Sequence, residues 1–207
     1  DSAVWYLVGL LHVQNGNDKK ALKALEKATE IEPDCALYLY RLAETLFYAG
    51  FECKEAIQKA IDCDNKNAWV YNISALRALG ENDLEGAEEA ILKARNLLPD
   101  DLSILVNFAE IRRRQGRLFE VLPLLESADA ESIHAGGRLL AEDGFFLKAD
   151  EWYKKALRLT PHDAELLTDA SENCIELDAV NEADDLLGRA LEKERTPRMY
   201  QLAARIA

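Results

Sequence analysis

Punctuation at a near-constant interval constrains this chain more than any single residue does. Pro33, Pro99 and Pro161 each close an amphipathic run, and Gly16, Gly50, Gly80, Gly116 and Gly144 each fall between two such runs. Proline lacks the N–H that would continue a helix and restricts the residue before it, so it marks the end of the second run of a pair. Glycine tolerates the left-handed conformation in which helices end, so it suits the turn inside a pair. Alternation of the two with a period of about 34 residues reads as a tandem array of helix–turn–helix units. No pair of helices in such an array buries its apolar face alone, so successive pairs must stack.

The expected fold is therefore all-α: a right-handed superhelical solenoid of about six antiparallel helix hairpins plus a C-terminal capping helix, or about 13 helices in all. The units cover approximately 2–35, 36–67, 68–101, 102–129, 130–163 and 164–197, with the cap at 198–207, in a single domain. The helix pairs are Ala3–Gln14 with Asp18–Glu30, Cys35–Ala49 with Lys54–Asp62, and Lys66–Leu79 with Leu84–Leu97. Asp101–Gln115 with Leu118–Ser127, Ala130–Glu142 with Phe145–Leu159, and His162–Leu177 with Val180–Glu192 follow. The last helix begins at Thr196-Pro197, a capping residue followed by proline at the first helical position. Alanine, leucine and glutamate dominate the composition and lose little freedom in a helix.

The residues that carry the pattern resemble the tetratricopeptide repeat family. The first unit shows it most fully, with Trp5, Val8, Gly9 and His12, then Ala21, Leu25, Ala28 and Pro33. The fifth repeats it with Ile133, Gly136, Gly137, Leu140, Ala149, Tyr153, Ala156 and Pro161. Gly9, Ala43, Ala75, Ala109 and Gly137 are small where two helices must approach closely. The fit is weakest in the second unit, which has Asn65 where proline is usual, and in the short fourth unit. There Pro123 falls inside the expected second helix, at a cost of order 3 kcal/mol if interior, and a change of superhelical pitch is expected across Leu118–Ala130.

A formal charge of −13 repels phosphate backbones, which argues against nucleic acid as a partner. No apolar run reaches the roughly 18 residues that a membrane-spanning helix needs, so no membrane insertion is expected. Opening on Asp1 without a charged-then-apolar leader reads as an excised domain or a processed chain, and leaves localisation open between cytoplasm and export. Cys35, Cys53, Cys63 and Cys174 lack metal-site spacing. Cys35 and Cys63 share one end of a hairpin, but helix axes there stand about 8–10 Å apart, too far for a disulfide, so four free thiols are expected.

No phosphate loop, HExxH or nucleophile elbow occurs, so no catalytic, cofactor-binding or metal site is assigned. His12 takes a packing position and His162 a solvated helix start. Asp163–Asp185 holds nine carboxylates without a lysine or arginine. Glu165, Asp169, Glu172 and Glu176 fall on one helical stripe, read either as a solvated face or as a face for cations or a basic peptide. Arg112, Arg113 and Arg114, with Arg117 and Arg138, are read as surface ion pairs, Glu110 with Arg114 among them, or as part of a binding face.

The resemblance implies a concave groove that takes a segment of another protein. Its upper part would be lined by Tyr6, Leu10, Tyr40, Glu44, Asn72 and Leu76, and its lower part by Glu110, Arg113, Arg114, His134 and Arg138. Tyr6, Leu10 and Tyr40 do not supply the carboxylate clamp of the family's chaperone-binding branch. A basic lower groove would favour a ligand with acidic residues there and apolar ones above. Reversing Arg113 or Arg138 to glutamate would then slow association and leave stability nearly unchanged. The alternatives are a structural subunit of a larger envelope or motor assembly, or a regulatory domain of a longer protein.

Overall fold

The computed structural model describes residues 1–127 and 129–207, and within them every regular element is helical. The α-helices are α1 Ser2–Gln14, α2 Asp18–Ile31, α3 Ala36–Tyr48, α4 Lys54–Cys63, α5 Ala68–Gly80, α6 Leu84–Leu97 and α7 Leu102–Arg114. They continue as α8 Leu122–Glu126, α9 Ala130–Glu142, α10 Phe146–Leu159, α11 Ala164–Glu176, α12 Val180–Leu191 and α13 Pro197–Ile206. No described helix is long and apolar enough to cross a membrane. Among the described residues α1 packs with α2, α3 with α4, α5 with α6, α9 with α10 and α11 with α12, as the punctuation predicts.

The first helix of a hairpin starts on a side-chain cap in most cases. Asp1, Asn67, Asp101, Asp129, Asp163 and Thr196 each accept from a backbone N–H two or three residues on, which satisfies a donor that the helix itself leaves unpaired. Gly16, Gly50, Gly116 and Gly144 adopt positive φ in the turns within pairs. Gly80 does not; it is the last residue of α5, and Asn82 takes the left-handed position at φ 59°. The sixth turn uses Asp178, also at φ 59°, where no glycine marks it. Both side chains are short and polar and tolerate that conformation better than most.

Close approach within hairpins is built as expected. A Cβ added at Gly9 would meet the Leu25 side chain at 2.8 Å, and one at Gly137 the Tyr153 ring at 2.8 Å. Ala43, Ala75 and Ala109 are fully buried. Gly136 makes the tightest seat, with Trp152 packed where its Cβ would be, 2.1 Å away.

The fourth hairpin departs from expectation. In place of one helix over Leu118–Ser127 there is a single 3₁₀ turn, Leu118–Glu120, followed by the five-residue α8. Pro123 sits in the first turn of α8, so it starts a helix and does not kink one. Its missing N–H falls where a helix has no internal acceptor to offer. Ala128, within the span expected to change pitch, lies outside the described residues.

Two compact units divide the chain, Asp1–Ile111 and Arg112–Ala207. The core of the first includes Leu25, Ile57, Val70, Ile91 and Ile104; that of the second includes Leu125, Ile133, Leu140, Leu167 and Leu187.

Candidate functional site

Polar groups on the first helices of adjacent hairpins pair at a fixed separation. Arg41 and Tyr6, 35 residues apart, interact through their side chains, which favours the charged guanidinium. Asn107 Nδ2 donates to Asn72 Oδ1 at 2.9 Å, across 35 residues. His134 Nε2 lies 2.8 Å from Asp169 Oδ2, again across 35 residues. Adjacent hairpins present side chains to one another at that interval, so each pair ties one hairpin to the next.

These pairs decide how the expected groove residues are placed. Asn72 and His134 are buried and held by cross-hairpin partners. Tyr6 packs on Tyr38 with ring centroids 4.9 Å apart. Tyr40 is buried, its hydroxyl donating to Glu44 Oε1 at 2.6 Å, while Arg41 holds the other Glu44 oxygen. Burial first, then the Glu44 carboxylate, pushes the Tyr40 phenol well above its ordinary value. Leu10, Leu76 and Glu110 are half-buried, and Arg114 is exposed.

The arginines are placed differently from the sequence expectation. Arg113 is 21% exposed at its side chain and reaches Asp143 at 2.7 Å and Glu142 at 3.5 Å. The expected solvent exposure is therefore not met at Arg113, whose reversal would break two ion pairs. Arg138 is half exposed and pairs with Glu165 at 3.2 Å. Arg113 and Arg138 thus each have a carboxylate partner on a neighbouring helix or turn.

The acidic stripe of α11 has a definite covering. Asp169 is buried and bridges His134 to Arg198 of α13, the latter at 2.6 Å. Arg198 also binds Glu172 at 2.5 Å, and Arg205 reaches Glu176 at 2.6 Å. α13 thus lands on the stripe through two guanidiniums; the solvated-face reading is corrected for Asp169, which is buried, while Glu172 and Glu176 stay partly open to solvent. Burial works to raise the Asp169 carboxyl, but the hydrogen bond from His134 and the charge of Arg198 outweigh it and hold the group below its ordinary range. Burial, then the charge of Asp169, pushes the Tyr153 phenol well up.

Around this cluster lies a cavity of about 450 Å³, formed by α9, α10, α11 and α13. Ala141, Phe146 and Tyr153 contribute apolar surface, and Arg138, Glu142, Glu172, Glu176 and Arg198 contribute charge. Beside it Asn173 donates to the Phe146 carbonyl at 3.0 Å, while its own Oδ1 is buried without a hydrogen-bond partner. A second cavity of about 980 Å³ opens among α2, α3 and α4, lined by Leu39, Leu42, Leu46 and Ala56 and edged by carboxylates.

All four cysteines are free. Cys63 is exposed and its thiol donates to the Asp34 carbonyl. Burial pushes the Cys174 thiol up to about 11. Asp150, Cys174 and Glu182 have ligand atoms close together, but Lys154 already binds both carboxylates, at 3.0 and 3.1 Å.

A family model described as tetratricopeptide repeat matches residues 2–45. That stretch holds the first hairpin, which carries the most complete form of the pattern seen again in the fifth. The chain belongs to the tetratricopeptide repeat family. A TPR repeat-containing protein of Treponema pallidum (strain Nichols) is 36% identical over 230 residues, covering all of this chain and 28% of that protein. This tetratricopeptide-repeat chain thus spans little more than a quarter of the length of that relative. Among solved structures it is similar to PilW, a type IV pilus biogenesis factor, with a TM-score of 0.74 at 15% identity over 98% of each chain. It is also similar to YrrB, described as a TPR protein with an unusual peptide-binding site, with a TM-score of 0.53 at 19% identity over 89% of this chain and 99% of that one. At such identities the likeness shows the fold alone.

Proposed function

We propose that the chain is a binding scaffold that holds a segment of a partner protein in the cavity framed by α9, α10, α11 and α13. The observation that carries this reading is the cavity itself: about 450 Å³, apolar at Phe146 and Tyr153 and flanked by opposite charges. An apolar pocket with a few placed polar groups is the usual form of a recognition site. The segment that fits it carries one apolar side chain flanked by charged residues. The acidic ligand suggested by the arginine run would have to draw Arg113 and Arg138 out of ion pairs with Glu142, Asp143 and Glu165. A segment that carries a cation meets rim carboxylates that are paired as well, Glu142 with Arg113, Glu172 with Arg198 and Glu176 with Arg205. A fold built from tetratricopeptide repeats, whose role is generally protein–protein interaction, supports a protein partner, and YrrB is a structural relative whose description includes peptide binding.

The test uses displayed peptide libraries selected on the wild-type chain. Selected peptides should carry one apolar side chain flanked by charged residues. They should lose most of their affinity for an Ala141→Trp variant, which fills the cavity. Unchanged affinity for Ala141→Trp, with its helical circular dichroism intact, would place binding elsewhere.

A further inference from the structure

The outer face of α1 does not match its counterparts. Aligned on the small residue of close approach, Val4, Leu7 and Leu11 flank Gly9 as Tyr38, Arg41 and Thr45 flank Ala43 in α3. The same places are Val70, Ile73 and Arg77 in α5, and Leu166, Asp169 and Asn173 in α11. In these later helices the face is covered. Tyr38 and Thr45 are at most 8% exposed, as are Val70 and Ile73, and all three residues in α11. The cover comes from the hairpin before: α2 packs on α3, α4 on α5, α10 on α11 and α12 on α13.

On α1 the same face is apolar throughout and open. Val4, Leu7 and Leu11 are 55%, 58% and 57% exposed, with Trp5 and Val13 beside them also exposed. Single exposed apolar residues need no explanation, but five on one 13-residue helix form a patch of the kind that marks an interface. α13, by contrast, presents Tyr200 and Gln201 outward, turns Arg198 and Arg205 onto the α11 carboxylates and buries Met199 and Leu202.

We infer that α1 is an interior helix of a longer array, and that its Val4–Leu7–Leu11 face is the seat of a preceding helical hairpin in the same polypeptide. The occupant is set by repetition within the chain, because the same face is covered by the second helix of the preceding hairpin at α3, α5 and α11. Length agrees, since most of the Treponema pallidum relative lies outside the stretch this chain matches. The chemistry of the occupant follows as well. Leu7 aligns with Arg41, Asn107 and Asp169, the later members of the three cross-hairpin polar pairs. With leucine there, a polar partner would be left buried and unsatisfied, so the covering hairpin presents apolar side chains at this step.

Hydroxyl-radical footprinting of the full-length gene product tests this without any substitution. Trp5, Leu7 and Leu11 should be modified several-fold more slowly than the exposed Leu147 and Tyr200, at a rate close to that of buried Leu39 and Leu166, and independently of protein concentration. Modification as fast as at Leu147 would overturn the inference. Protection that disappears on dilution would overturn it too, by assigning the face to a second copy. Protection traced by cross-linking to a different protein would also exclude it.

Discussion

Asp169 shows how much one side chain can hold together. It takes a hydrogen bond from His134 on α9 and an ion pair from Arg198 on α13, and it is buried between them. Its carboxyl is depressed, so it contributes stability that is fully present above the unfolded pKa of about 3.9 and is lost as pH falls through the lower folded value. Asp169→Asn should cost about 1.5–3 kcal/mol at pH 7, the range for charge-assisted hydrogen bonds. The difference from wild type should shrink below about pH 4, where the wild-type carboxyl begins to lose its own advantage. Urea denaturation of both proteins at pH 7 and pH 3 measures it; a difference that is the same at both would show that the charge plays no part.

At the scale of elements, α8 is the exception that tests the account of Pro123. A proline in the interior of a helix would be relieved by alanine, with a gain of up to about 3 kcal/mol. A proline in the first turn already has the right φ and restricts the unfolded chain, so Pro123→Ala should instead lose about 0.4–1 kcal/mol. Thermal or urea unfolding distinguishes the two by sign. Hairpin boundaries were legible in the sequence because glycine and proline act locally, and the helices begin and end within one or two residues of where they were expected in most units. Asn82 and Asp178 were missed because a left-handed turn without glycine leaves only a weak mark. The stripe on α11 was legible as a stripe, but its partners Arg198 and Arg205 lie 26 to 29 residues away on another helix, and no periodicity assigns partners at that range. The groove residues that the resemblance implies fall on the first helices of their hairpins, and two of them, Asn72 and His134, are paired within the chain. Side-chain type alone does not distinguish a residue that waits for a ligand from one that ties two hairpins together.

At the scale of the whole molecule, the helix contacts among the described residues of each unit join helices of one hairpin or of adjacent hairpins, so cooperativity within a unit is passed from hairpin to hairpin. Each compact unit has its own buried core and its own tryptophan reporter, Trp69 in the first and Trp152 in the second. Single-tryptophan variants retaining only Trp69 or only Trp152 should therefore show urea transitions with different midpoints. Coincident transitions would mean that the chain unfolds as one body. The open face of α1 carries a consequence of another kind, in the order of synthesis. Ribosomes deliver a chain from its N-terminus, and domains fold as they emerge. A hairpin ahead of α1 would already be folded when Val4, Leu7 and Leu11 leave the exit tunnel, offering a surface on which this segment condenses as it appears. Each completed hairpin then serves as the template for the next, and the apolar face that would be a hazard on an isolated fragment is exposed only for the time needed to translate one helix.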